Sequence, residues 1–150
     1  MPKVIEEAQI LSHDAPIADV DILTLAAPQI AQLSLPGQFV QVSVPVSGGF
    51  LRRPLGIAEV SRTDGWIRLI YRQVGRGTEA LAGSAAGAYV SVLGPLGRGF
   101  DTALSHPLLV GGGMGLTPLL FFAAAHPNVS VLMGGRTKAE LFWESLFRPH

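Results

Sequence analysis

Alternating apolar and polar residues divide the first hundred residues into short predicted strands. Val40, Val42 and Val44 alternate with polar residues just after Pro36-Gly37, which is typical of a half-buried strand entered from a turn. Asp64-Gly65 lies between two apolar runs and predicts a β-hairpin. Strands so evenly spaced are typical of a small antiparallel barrel. We predict at least six of them and one short helix: strands 4–11, 20–26, 40–44, 55–60, 66–74 and 88–93, and the helix 78–82.

The pattern changes after about residue 101. Residues 107–110 form a continuous apolar run, typical of a strand covered on both faces, and a glycine-rich turn follows. Thr117 and Pro118 predict the N-cap and first residue of a helix that ends near residue 125. A second strand, 129–133, precedes a helix that ends near residue 147, in which Thr137 and Glu140 have capping-box spacing.

The order βαβα is the opening of a doubly wound parallel α/β sheet. We therefore predict a barrel domain over residues 1–102 and a nucleotide-binding α/β domain over residues 103–150. Two strands and two helices cannot cover both faces of a sheet, so we expect this second domain to be incomplete and the chain truncated. We also expect exposed apolar side chains at 119–122 and 141–147.

Composition narrows the class of protein. Of the 150 residues 48% are hydrophobic, and 11 basic residues balance 11 acidic ones, so the chain folds and has no general attraction for nucleic acid. Cysteine is absent, which excludes a thiolate metal site. The N-terminus does not have the pattern of a signal peptide, and glycines interrupt the only long apolar stretch, so we expect a cytoplasmic protein with no membrane partner. The four histidines show no metal-ligand spacing and are interpreted as surface or turn residues, whereas the two tryptophans are interpreted as packing residues.

Candidate binding chemistry lies in three places. Residues 52–76 contain six arginines and only two carboxylates. Pairing across the 63–65 turn would bring Arg53 near Tyr71. There the aromatic ring could stack on a flat ligand, and the guanidinium could bind the ligand's phosphate. Gly77 and Thr78 lie at the start of the predicted barrel helix, and the glycines after residue 110 lie before the next predicted helix. Backbone N–H groups at the start of a helix can bind a phosphate group. Each feature also has a purely structural explanation: a solvated basic hairpin, N-capping by Thr78 and a tight strand–helix connection. From the residues alone, flavin, nucleotide and no ligand all stay open.

Six motifs occur in the order found in one family. On them the chain resembles the ferredoxin-reductase superfamily and, more closely, the electron-transfer subunits of class 1B dihydroorotate dehydrogenases, from about residue 4 to residue 147. The motifs are RRPLG (52–56), IYR (70–72), GRGT (75–78), VLGPLGRGF (92–100), VGGGMGLTPL (110–119) and MGGRTKAELF (133–142).

The resemblance implies a ferredoxin-reductase-like β-barrel that binds FAD, followed by a domain that meets NAD(H). It implies no catalytic acid or base, because hydride passes between two cofactors. The residues that it assigns to the flavin are Arg53, Pro54, Leu55, Gly56, Ile70, Tyr71 and Arg72, with Gly77 and Thr78 at the pyrophosphate. Those that it assigns to the nicotinamide nucleotide are Gly111, Gly112, Gly113, Gly115 and Thr117.

The implied function is electron transfer between NAD(H) and a catalytic dihydroorotate dehydrogenase subunit in pyrimidine biosynthesis. Two departures from the family stand out. Gly56 occupies a position where the family usually has Ser, and the cysteines of the family's [2Fe–2S] cluster are missing, so this chain cannot hold that cluster. Two alternatives stay open: another flavin oxidoreductase subunit of the same superfamily, and a non-catalytic flavin-binding module.

Overall fold

Six antiparallel strands close into a barrel in the computed structural model of the protein, which describes residues 2–45 and 51–150. Neighbours around the barrel follow the order β1-β2-β5-β4-β3-β6, so the predicted barrel is confirmed. The strands are β1 (Val4–Ile17), β2 (Val20–Ala26), β3 (Phe39–Val42), β4 (Arg53–Ser61), β5 (Trp66–Arg72) and β6 (Tyr89–Leu96).

The predicted hairpin joins β4 to β5. Gly65 has φ +72°, a left-handed conformation that glycine adopts without steric cost, and its N–H donates to Ser61 O. Alternate residues of β5 then point to opposite sides. Ile67 and Leu69 belong to the barrel core, and Ile70 packs on the outside with the second unit of the chain.

A helix that the sequence analysis did not predict follows β2. Helix α1 (Pro28–Leu33) has only six residues, so the expectation of a single barrel helix was wrong. Its N-terminus is capped from another strand: the Glu6 carboxylate on β1 accepts hydrogen bonds from the backbone N–H groups of Gln29 (3.1 Å) and Ile30 (2.8 Å). A carboxylate at this end satisfies unpaired donors and complements the helix dipole. Helix α2 (Arg76–Ala82) is the predicted one.

The second unit is a two-stranded parallel sheet with its helices. Strand β7 pairs with β8 from Leu108↔Ser130 to Gly112↔Gly134, which is the parallel pairing that the βαβα pattern predicts. The elements are β7 (Leu108–Gly112), a 3₁₀-helix (Gly113–Leu116), α3 (Thr117–Ala125), β8 (Ser130–Gly134), a second 3₁₀-helix (Lys138–Phe142) and α4 (Trp143–Phe147).

Both helix starts predicted in this unit differ in detail. Helical backbone begins at Gly113, so Leu116 and not Thr117 stands at the N-cap of α3, and the Thr117 hydroxyl donates to Ile70 O of the barrel (3.4 Å). Thr137 stands at the N-cap of the second 3₁₀-helix but makes no capping hydrogen bond with its side chain, and the predicted capping box does not form. The reason is that arginines take the Glu140 carboxylate instead.

The apolar residues of α3 are buried against the barrel, contrary to the expectation that residues 119–122 are exposed. Leu120, Phe121 and Phe122 are all buried, and Trp143 and Phe147 of α4 are buried as well. Leu141 is 37% exposed, as expected, and exposed apolar side chains also lie on the other face of the β7–β8 sheet, where Leu108, Val110 and Leu132 are 63%, 62% and 59% exposed. Within the described residues, then, this sheet is covered on one face only, and the predicted two-sided cover is not present.

Candidate functional site

The main cleft lies where the ends of β4 and β5 meet the start of α3. Its volume is about 530 Å³, within the range of small-molecule sites. Seven of its lining residues were predicted from the IYR and RPLG motifs, which the β4–β5 hairpin brings to one end of the barrel. The lining residues are Arg53, Pro54, Leu55, Gly56, Ile70, Tyr71, Arg72, Val74, Thr78, Met114, Gly115, Thr117 and Pro118.

Arg53 supplies a cation at one end of this cleft. Its Nη1 donates to Leu51 O (2.9 Å), and the guanidinium lies directly over Gly77 in the first turn of α2. A Cβ atom at Gly77 would lie only 2.4 Å from Arg53 Nε and 2.7 Å from Nη2. Glycine is therefore required at residue 77 if the guanidinium is to keep this position.

The Thr78 hydroxyl stabilises the loop before α2. Thr78 is the third residue of the helix, with Gly75 at the N-cap. Its Oγ1 accepts hydrogen bonds from the N–H groups of Val74 (2.9 Å) and Gly75 (3.3 Å) and donates to Gly75 O (3.0 Å). The hydroxyl is fully engaged within the loop, so Thr78 shapes the cleft and its exposed neighbour Val74 adds an apolar edge.

Tyr71 forms a buried wall of the cleft. Only 3% of the residue is exposed, and burial, followed by the negative charge of Asp21, raises the pKa of Tyr71 well above its ordinary value. The phenol is therefore neutral, and its hydroxyl lies 3.3 Å from His13 Nε2. The interpretation of His13 as a surface residue was wrong, because its side chain is 9% exposed.

Gly56 and Thr117 face each other across the same cleft. A Cβ atom at Gly56 would lie 3.4 Å from Thr117 Cγ2, an ordinary van der Waals separation. Packing alone does not require glycine at residue 56. Thr117 thus lines the main cleft, together with Gly115, although both were predicted with the nicotinamide group.

A second cleft of about 430 Å³ opens at the carboxyl ends of β7 and β8. In parallel α/β sheets, ligands bind at this edge. Arg72 and Met114 line both clefts, so the two are adjacent. The other lining residues are Gly112, Gly113, Gly134, Gly135, Arg136 and Glu140.

Glu140 connects the second cleft to the barrel. Its carboxylate accepts hydrogen bonds from the Arg136 backbone N–H and Nη2 (both 2.8 Å) and from Arg72 Nη2 (3.3 Å). The hydrogen bonds from Arg136 lower the pKa of Glu140 to about 2, so the group is a carboxylate at neutral pH. It holds two guanidinium groups beside the glycine turns.

No binding role was predicted for the other cleft residues, which are Val74, Met114, Pro118, Gly134, Gly135, Arg136 and Glu140. The Gly134-Gly135 turn after a predicted strand was a signal that could have indicated the second cleft. Conversely, Gly111 lines neither cleft: a Cβ atom there would lie 3.0 Å from Leu116 Cδ2, so the residue serves close strand–helix packing.

Gly77→Ala is expected to reduce ligand affinity in the main cleft with little loss of folding stability. The new Cβ displaces the Arg53 guanidinium, which is the free end of a flexible side chain and can move without unfolding α2. Losing its contact with an anionic ligand should raise the dissociation constant about tenfold. Isothermal titration with FAD and a thermal melt measure the two quantities. Gly75→Ala is the matched control, because a Cβ atom there meets nothing within 4 Å; equal effects of both variants would contradict the prediction.

A flavin-binding barrel with an adjoining parallel βα unit is the class that this fold and site define. The chain belongs to the family described as oxidoreductase FAD-binding domain, which matches residues 3–100. Among curated proteins it is 41% identical over 134 residues to the electron transfer subunit of dihydroorotate dehydrogenase B (NAD(+)) from Geobacillus thermodenitrificans, covering 83% of this chain and 52% of that protein. The subunit of the same name from Desulforamulus reducens is 41% identical over 128 residues, with 81% and 49% covered.

Solved structures have the same fold. The structure of an NADH-dependent reduced ferredoxin–NADP oxidoreductase superposes with a TM-score of 0.80 at 30% identity, covering 91% of this chain and 51% of that one. A ferredoxin reductase of carbazole 1,9a-dioxygenase gives a TM-score of 0.81 at 25% identity, with 97% and 47% covered. The chain thus spans about half the length of the curated relatives it matches.

Residues 2–45 and 51–150 contain no group of three or more His, Asp or Glu side chains arranged to hold a metal ion. None of the helices in these residues has the length and apolar character needed to cross a bilayer.

Proposed function

We propose that this chain binds FAD in the main cleft and is part of an electron-transfer subunit that moves electrons between NAD(H) and a catalytic dihydroorotate dehydrogenase subunit. The observation that carries the proposal is the arrangement of Arg53 over Gly77 at one end of a cleft whose wall is Tyr71. The names of the curated relatives support the same reaction. We propose residues 1–102 as the FAD-binding unit and 103–150 as part of the NAD-binding unit.

The residues of the main cleft suit FAD in size and charge. The fit rests on the glycine at residue 77, where any side chain would fill the space of the Arg53 guanidinium, and on the 530 Å³ volume. Arg53 would bind the pyrophosphate through charge-assisted hydrogen bonds, with the backbone N–H groups at Gly77 and Thr78 nearby. Leu55, Gly56, Ile70 and Tyr71 would hold the flavin ring. Bound FAD supplies the hydride and electron chemistry, and these residues fix its orientation.

The second cleft is the proposed position of NAD(H). Gly112 and Gly113 leave the backbone open to a ligand at the edge of the β7–β8 sheet, and Arg136 is an exposed cation beside it. Because Arg72 and Met114 line both clefts, a nucleotide held there would meet the flavin at their boundary. Gly115 and Thr117 would act on the flavin side of that boundary, where they line the main cleft.

The resemblance implies that onward electron transfer uses a [2Fe–2S] cluster held by cysteines. This chain has no cysteine. We therefore propose that the chain supplies the flavin and nucleotide contacts, while the route to the dihydroorotate-oxidising partner runs through other parts of the assembly.

The first test is the visible spectrum of the purified chain, followed by heat release and identification of the flavin. About one FAD per chain, bound or taken up on incubation, is the expected result. A chain that is folded by circular dichroism and stays colourless with excess FAD would overturn the proposal. Arg53→Ala, which should lose the flavin on gel filtration, is compared with Arg98→Ala, whose exposed arginine lies outside the main cleft.

Addition of NADH separates the remaining functions. Bleaching of the flavin absorbance by NADH is expected if the second cleft holds the nucleotide. Co-elution of the loaded chain with a catalytic dihydroorotate dehydrogenase subunit would then support the proposed partner. Bound flavin that NADH does not bleach would favour the binding-module alternative, and bleaching with transfer to free flavin in the absence of a partner would favour a different reductase.

A further inference from the structure

A buried polar network lies directly behind the Tyr71 wall of the main cleft. It joins β1, β2 and β5 at the end of the barrel where β5 finishes, and none of its members except Tyr71 lines the cleft. His13 Nε2 lies 3.2 Å from Asp21 Oδ1 and 3.3 Å from the Tyr71 hydroxyl. The side chains of His13 and Asp21 are 9% and 6% exposed.

Both ring nitrogens of His13 and both carboxylate oxygens of Asp21 have partners. His13 Nδ1 lies 2.9 Å from Ser84 O, and since a carbonyl oxygen only accepts, Nδ1 carries a proton. Gln73 Nε2 donates to the remaining oxygen of Asp21 at 2.7 Å. With the proton on Nδ1, Nε2 is free to accept the Tyr71 proton, and the bond from Nδ1 to Ser84 O fixes the imidazole ring.

Burying a carboxylate and an imidazole costs free energy, and here neither buried side chain lines the cleft. The Tyr71 hydroxyl is the one group that links them to the cleft. The Tyr71 ring is packed in the barrel core, and this is the one described hydrogen bond of its side chain, so the link adds a directional restraint to that packing.

We propose that His13 and Asp21 are positioning residues for the flavin site, which act by holding the Tyr71 ring through its hydroxyl. The inference rests on the proposed binding of FAD. It assigns a role in the cleft to two residues that stand 58 and 50 positions before Tyr71 in the sequence and do not line the cleft themselves.

A double-mutant cycle on FAD affinity tests the proposal. His13→Leu should raise the FAD dissociation constant about three- to tenfold and shift the visible absorption band of bound FAD. In a Tyr71→Phe background, which keeps the ring and removes the hydroxyl, the same substitution should change the constant by less than about twofold. His13→Gln, whose amide can still donate and accept, should recover part of the affinity.

Controls separate positioning from general damage. His126→Leu removes another histidine that bonds to a backbone carbonyl, that of Leu104, and His126 lies outside the main cleft, so FAD affinity should not change. Asp21→Asn repeats the test with little change of shape if His13→Leu does not fold. If the wild-type chain binds FAD and His13→Leu has equal effects in both backgrounds, or no effect in either, the positioning role alone is overturned. If the wild-type chain folds and does not bind FAD, both the proposed function and the positioning role are overturned.

Discussion

Arg53→Ala should weaken FAD binding by about 1.5–3 kcal/mol, which is roughly a 10- to 150-fold rise in the dissociation constant. Hydrogen bonds to charged groups are the stronger kind, and Arg53 is the cation that the structure brings over the first turn of α2 in the main cleft. The free protein should lose little, because the guanidinium makes only one described hydrogen bond, to Leu51 O.

Fluorescence titration of FAD onto the purified variants measures this effect. Arg98→Ala is the matched control, since it removes a guanidinium from an exposed position outside the cleft. Gly77→Ala combined with Arg53→Ala should be no weaker than Arg53→Ala alone, because both changes remove the same contact. An unchanged dissociation constant for Arg53→Ala would show that the pyrophosphate, if bound, lies elsewhere.

The barrel was predictable because local patterns determine it. Period-2 alternation and the Asp64-Gly65 turn indicated the hairpin between β4 and β5, and that hairpin brings Arg53 and Tyr71 to one cleft. Helix α1 was missed because it is six residues long and its cap comes from Glu6, more than twenty residues earlier in the chain. The residues next to a helix cannot indicate a cap that comes from a distant part of the chain.

The groups behind the site were not predictable for the same reason. His13 is an ordinary polar residue in its own stretch of sequence, and only closure of β1 on β2 and of β2 on β5 brings it to Tyr71. Glu140 contacts Arg72 across 68 residues and Arg136 across four, and these guanidinium groups take the carboxylate that the predicted capping box would have used. Local spacing cannot indicate the contact with Arg72.

The packing of α3 and α4 on the barrel explains why the expected exposure of residues 119–122 was wrong. Helix α3 is apolar on all sides, which indicates that it is buried without saying what covers it. Here the outside of the barrel covers it: Val20, Ala58 and Ile70 form one apolar cluster with Leu120 and Trp143, among other residues. The same cluster holds the second cleft beside the main cleft, so disrupting the cluster should affect FAD binding as well as local packing.

Trp143→Ala should therefore lower the free energy of unfolding by about 3–5 kcal/mol. The side chain is fully buried, and a loss of this size is a large part of the ~5–15 kcal/mol that stabilises an ordinary domain. Trp143→Phe should cost much less, because it keeps an aromatic ring and removes an indole N–H that has no hydrogen-bond partner among the described residues.

Urea unfolding followed by far-UV circular dichroism measures both losses, with Trp66→Ala as the matched control. Trp66 is only partly buried and lies under the Arg68 guanidinium, 5.1 Å from its ring centroid, so its removal should cost about 1 kcal/mol or less. Because α4 carries Trp143 into the cluster that also holds Ile70 beside the cleft, Trp143→Ala should weaken FAD binding too. A stability loss no greater than that of Trp66→Ala would mean that α4 does not pack on the barrel in solution.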